Sequence, residues 1–165
     1  MKTNTTREEK QITTIIHNRQ ARAWNITADE LYELAKENTP KIYPSMMGRL
    51  EHLVFGWDED KEEMVPLDTE LPILFILSNQ SGINGAICML YEGVLKEFAE
   101  KIDTDLLILP SSIHEVLIHR YGEDLDVEVF KNMVRSVNEN DVPKEDILSN
   151  SVYVYTRHDD KIRQM

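Results

Sequence analysis

A chain of 165 residues is the size of one ordinary domain, because single cores usually take about 100 to 200 residues. With 41% hydrophobic and 29% charged residues it is neither a disordered chain nor a fibre. Thirty acidic residues against eighteen basic ones give a net charge of -12, which repels phosphate backbones and anionic headgroups, so no nucleic acid and no membrane is expected as a partner.

Cys88 is the only cysteine, which excludes an internal disulfide and with it a disulfide-built secreted fold. It lies in the apolar run Ala86-Ile87-Cys88-Met89-Leu90, where a thiol is inert packing and has no base beside it. The first ten residues carry acids and no apolar stretch of signal-peptide length. The longest apolar runs, near Ile73 to Leu77 and Ala86 to Leu90, fall far short of the roughly 20 residues that cross a bilayer. A cytoplasmic address is the expectation.

In chain order, residues 12 to 17 are rich in β-branched side chains, but the following Asn-Arg-Gln-Ala-Arg-Ala-Trp favours a helix after Thr13. Thr27 with Glu30 three residues on is a capping box that starts a second helix. Its Ala28, Leu31, Leu34 and Ala35 share one face, and Asn38-Thr39-Pro40 should end it. Ser45 is placed to cap a third helix with the stripe Met46, Leu50, Leu53 and Val54, stopped at Gly56. The acidic run 58–63 then breaks every apolar pattern; it has no central Gly and does not space its oxygens as a calcium loop does, so it reads as a solvated loop.

From Leu71 the pattern changes. Ile73 to Leu77 reads as a buried strand, the segment from Ser78 to Gly85 as a hairpin turn, and Gly85 to Leu90 as the partner strand. A helix with Val94, Leu95, Phe98, Ala99 and Ile102 follows. Strands over Leu106 to Leu109 and Glu115 to His119 come next, the first broken by Pro110. Asp126 caps a helix with the stripe Val127, Phe130, Met133, Val134 and Val137, and Val152 to Tyr155 is the last strand. The expected fold is one α+β domain over 1–165: a helical part at about 12–56, an acidic loop at 57–70, an α+β part at 71–157 and a frayed tail at 158–165. The order strand-strand-helix-strand-strand-helix-strand implies a mostly antiparallel sheet of about five strands, with two packing helices gathered on one face.

Several stretches carry a resemblance. They are Trp24 to Thr27 with Asp29 to Pro40, Leu77-Ser78-Asn79, Gly85-Ala86 with Leu90 to Leu95, Leu109-Pro110-Ser111-Ser112-Ile113-His114-Glu115-Val116, and Leu148 to Tyr153. Over about residues 12 to 157 the chain resembles the C-terminal half of a bacterial family of unknown function. The Pro-Ser-Ser-Ile-His-Glu-Val string is also similar to a second uncharacterised bacterial family. The resemblance implies no activity.

Ser111, Ser112, His114 and Glu115 are the candidate site, since Ser, His and a carboxylate can form an activated nucleophile, its base and an orienter. Against catalysis, triads are assembled from residues distant in sequence, and no Gly-x-Ser-x-Gly elbow is present. The other expectation is that the serines bond the backbone of a turn after Pro110 while His114 or Glu115 clamps a neighbouring loop. His114 and His119 stand five apart, a spacing that chelates on neither helix nor strand, and His17, His52 and His158 show no ligand spacing. No cofactor and no metal is expected. The functional expectation is a non-catalytic protein-interaction or ligand-binding module that pairs with itself or with another protein through a sheet edge or helix face, with Trp24, Trp57, Tyr153 and Tyr155 as its aromatics. The alternative is a hydrolase centred on Ser112 and His114, with Glu115 orienting the imidazole.

Overall fold

A computed structural model describes residues 14–50 and 73–165. The acidic loop expected at 57–70 lies outside the described residues, as do His52, Leu53, Val54, Gly56 and Trp57. The chain separates into two compact units, divided between Glu37 and Asn38.

The first unit holds α1 (Asn18–Ala23) and most of α2 (Ala28–Ile42). α1 begins at Asn18, and residues 14–17 before it, with β-branched Thr14, Ile15 and Ile16, take no regular structure. The capping box at α2 forms: Glu30 N–H donates to Thr27 Oγ1 at 3.2 Å and Thr27 N–H donates to Glu30 Oε2 at 2.9 Å. The Thr27 N–H and the Thr27 hydroxyl, which both donate to Glu30 Oε2, hold that carboxyl below its ordinary value. The helix does not stop at Asn38-Thr39-Pro40. It runs through Pro40 to Ile42, so only the N–H that proline lacks is lost from its ladder.

The second unit is built on a six-stranded antiparallel sheet in the order β1-β2-β4-β3-β5-β6. The strands are β1 (Ser45–Arg49), β2 (Phe75–Asn79), β3 (Asp105–Pro110), β4 (Val116–Tyr121), β5 (Tyr153–Thr156) and β6 (Lys161–Gln164). α3 (Val94–Lys101) follows a 3₁₀ helix over Gly85–Leu90, and α4 (Val127–Asn140) lies between β4 and β5. Three expectations are corrected here. Ser45 to Arg49 is a strand paired with β2 and not the start of a helix, because Met46 and Met47 find a ladder partner at Ser78 and Leu77. Gly85 to Leu90 is 3₁₀ helix, since β2 pairs on one side with β1 and on the other with β4, leaving no ladder open to it. The tail is not frayed: residues 161–164 pair with β5, Ile162 opposite Tyr155.

The two helices that follow the strands lie on opposite faces of the sheet, not on one. From β2 the chain passes β4 by way of α3 to enter β3, parallel to β2; from β4 it passes β3 by way of α4 to enter β5, parallel to β4. Both steps go the same way across the sheet but leave strands of opposite direction, so crossovers of one hand put their helices on opposite sides. On one face Leu106, Ile108, Val116 and Ile118 pack with Leu95, Ala99 and Cys88, and Phe75 meets Phe98 edge-on at 4.9 Å. On the other, Leu107, Leu109, Val152 and Val154 pack with Phe130 and Val134. β3 is therefore buried on both sides, which is why it reads as an unbroken apolar run.

α4 starts at Asp126, whose carboxylate accepts the Glu128 N–H at 3.1 Å. Its inner face differs from the expected stripe. Phe130, Val134 and Asn138 are buried, while Met133 is 43% exposed and Val137 38%. Asn138 turns the helix this way by donating to Ser149 O and Asn150 Oδ1 at 3.0 and 2.8 Å, which ties the segment ahead of β5 to the helix.

Candidate functional site

Pro110 ends β3 opposite Val116, and the five residues between them form the hairpin loop that carries every candidate site residue. Ser112 is buried and closes the loop internally. Its N–H donates to Glu115 O at 3.2 Å, its Oγ donates to Glu115 Oε1 at 3.1 Å, and the same Oγ accepts the His114 N–H at 3.0 Å. This is the local hydroxyl-to-backbone bonding that serine offers after a strand has ended. Ser111 is half-buried and takes none of these bonds.

The loop then grips two other connections. Toward the segment between β2 and the 3₁₀ helix, Ser78 Oγ donates to His114 O at 2.8 Å, Ala86 N–H donates to Ile113 O at 3.2 Å and Asn84 N–H donates to His114 Nδ1 at 3.1 Å. Gly85 is a close-approach residue: a Cβ there would stand 2.2 Å from Ser78 Oγ and 2.5 Å from His114 O. Positive φ is instead taken by Gly82, at 68°, and by Asn84, at 53°; the stretch is a turn into a 3₁₀ helix and not a hairpin. Asn79, also buried, ties that turn by donating to Ile83 O and accepting from the Ser81 N–H. Toward the segment after α4, Ile113 N–H donates to Asp146 O at 2.8 Å, and His114 Nε2 faces Asp146 Oδ1 at 3.5 Å.

These bonds determine the ring's state. A backbone N–H can only donate, so Nδ1 is the acceptor and the proton of the neutral imidazole sits on Nε2, toward Asp146. The expected residues are thus brought together but paired differently. Glu115 holds Ser112 and not the imidazole, and the carboxylate beside His114 is Asp146. Asp146, Asn84 and Ser78 were not among the expected site residues; Ser78 and Asn84 read only as parts of a turn, and nothing marks Asp146.

A serine nucleophile needs a ring nitrogen to take its proton. Here one nitrogen accepts Asn84 and the other faces Asp146, while the Ser112 hydroxyl is directed at Glu115. His119 lies apart on β4, its ring tilted at 45° against that of Phe130 with centres 5.1 Å apart. Cys88 is buried, and burial pushes its thiol up, away from the thiolate that a nucleophile requires. Among the described residues, no group of three or more His, Cys, Asp or Glu is placed to hold a metal ion, and no helix is long and apolar enough to cross a membrane.

Fold and site together define an α+β unit on a six-stranded antiparallel sheet, whose central hairpin loop locks two other connections in place. The chain belongs to a family of unknown function, DUF5688, whose model matches residues 3–157. That span contains the hairpin loop and all its partners and leaves β6 outside. No curated protein and no solved structure matches the chain.

Proposed function

We propose that this chain is a non-catalytic protein-interaction module that meets its partner, a second copy or another protein, through the apolar side chains of its first unit. One observation carries this: among residues 14–37 no side chain is buried, yet Ile15, Trp24, Tyr32 and Leu34 are 76, 58, 56 and 47% exposed. A pair of helices this short has too little core to hold itself together, and helices below about 12 to 15 residues are marginal in water without packing. Trp24 fits the aromatic role expected of it, whereas Tyr155 is core and Tyr153 is half-buried with its hydroxyl on Ser149. A bacterial, cytoplasmic setting belongs to the same proposal, supported by the resemblance and by the single buried cysteine.

Light scattering during gel filtration, combined with amide exchange of residues 18–37, tests it. The expected result is a mass above 19.2 kDa, or a 19.2 kDa monomer in which α2 exchanges rapidly until a partner is added. A monomer whose α2 amides are protected with no partner present would overturn the proposal.

The hydrolase alternative rests on Ser112, His114, Glu115 and now Asp146 lying in one junction. It requires the Ser112 hydroxyl to leave Glu115 and the ring to leave Asn84. Ester and phosphoester turnover that His114→Ala abolishes would favour it; equal rates in both proteins would remove it.

A further inference from the structure

We propose that His114 is a pH-sensitive latch that holds the Asn84 amide of the 79–85 turn against the hairpin loop when its ring is neutral and releases that amide when the ring is protonated. The reason is geometric and independent of the interaction surface proposed above. Nδ1 is 3.1 Å from the Asn84 N–H, a group that can only donate. A proton on Nδ1 puts two donors face to face, so the imidazolium cannot keep this bond.

The charged groups around the ring fix the direction of the switch. From the segment after α4, Asp146 faces Nε2 at 3.5 Å, with 27% of its side chain exposed, and attracts the imidazolium. Its sequence neighbours Lys144 and Glu145 are exposed. From the hairpin loop itself, Glu115 is occupied with Ser112. From the 79–85 turn comes no charge, since Asn79-Gln80-Ser81-Gly82-Ile83-Asn84-Gly85 holds no ionisable side chain. Protonation therefore weakens the contact to Asn84 while strengthening the one to Asp146. The ring stays with the α4 side and lets go of the Asn84 amide, while Ser78 Oγ and the Ala86 N–H still hold the two ends of the turn to the loop.

Asn84 itself gains backbone freedom from release. It sits at φ 53°, a left-handed conformation that asparagine tolerates but does not prefer, and it starts the 3₁₀ helix. Ile83 and Ile87, on either side of it, are 40 and 41% exposed, so letting the turn move changes an apolar patch on the surface.

A pH titration of the intact chain by ¹⁵N–¹H NMR, with protection factors from amide exchange, tests the latch. The expected result is that the Asn84 amide loses about five-fold or more of its protection as pH falls, with the same midpoint as the His114 ring protons, while Leu107 in β3 keeps its protection. His114→Gln offers an uncharged acceptor at every pH, so Asn84 should then lose its dependence on pH. Constant Asn84 protection through the His114 midpoint would overturn the latch in the native protein alone, with no variant needed. So would a pH response that survives in a folded His114→Gln.

Discussion

The two units solve the problem of stability in opposite ways. In the second, one strand sits between two helices and is apolar on both sides, so Leu106, Leu107 and Ile108 are all fully buried. In the first, the helices obey the local rules of capping and amphipathic spacing and still leave no side chain fully buried. Regular secondary structure and a core are thus separate achievements. Thr27 and Glu30 can start a helix without help, but Leu34, 47% exposed, gains little from it until another surface covers it.

That contrast is sharpest under truncation. Leu107→Ala should lower the stability of the second unit by about 2 to 5 kcal/mol, because a cavity opens under α4 in a face packed by Phe130 and Val134. Leu34→Ala, in dilute protein without a partner, should shift the same urea midpoint by no more than about 0.5 kcal/mol, since 47% of the side chain is already exposed. Equal losses from both would mean that the first unit has a core.

Gly85→Ala should come next in size, at about 1 to 3 kcal/mol. The new methyl meets a carbonyl oxygen and a backbone nitrogen that β2 and the hairpin loop hold in place, so the clash cannot be relieved by a rotamer change alone. Ala at Gly82 or Gly122, where a Cβ meets nothing within 4 Å, separates crowding from mere loss of glycine. Gly122 is the cleaner control, because Gly82 has positive φ.

The smallest effect is at high pH. Burial, then the neighbouring Cys88, pushes the Tyr91 hydroxyl up to about 12 while it donates to Tyr43 O at 3.1 Å. The unfolded chain gives up that proton first, near the ordinary value of about 10. Its contribution to stability is thus complete below about pH 10 and is lost as pH rises through about 12. Urea midpoints across that window should fall less steeply in Tyr91→Phe than in the parent. Some decline should remain, because Tyr155 and Cys88 are raised in the same direction. The first unit, where Glu30 is the ionisable group with a clear shift among the described residues, should respond at the acid end instead. Its lowered carboxyl stabilises α2 above the ordinary carboxylate range and stops doing so as pH falls.

Much of this was legible in the residues. The continuous run Leu106 to Leu109, the caps at Thr27 and Asp126 and the spacing of Val94, Leu95, Phe98 and Ala99 are local signals, and each element formed where they stand. The same run also announced burial on both faces, which the expectation of helices on one face overlooked. Of the candidate site, the serines, His114 and Glu115 were visible because they share one loop. Their partners were not, because Asp146 and Asn84 reach that loop only through the crossovers.

By itself, then, the order of residues determined the α+β class, the helices and the central strands, since these depend on neighbours within a few positions along the chain. Tertiary structure alone decided that Ser45 to Arg49 and Lys161 to Gln164 become strands, because an edge strand is specified largely by the partner whose backbone it meets. It also decided that His114 Nδ1 accepts a hydrogen bond from the Asn84 N–H and that the ring faces Asp146. Which loop lies beside which follows from the direction and hand of two crossovers, and no window of local sequence contains that information.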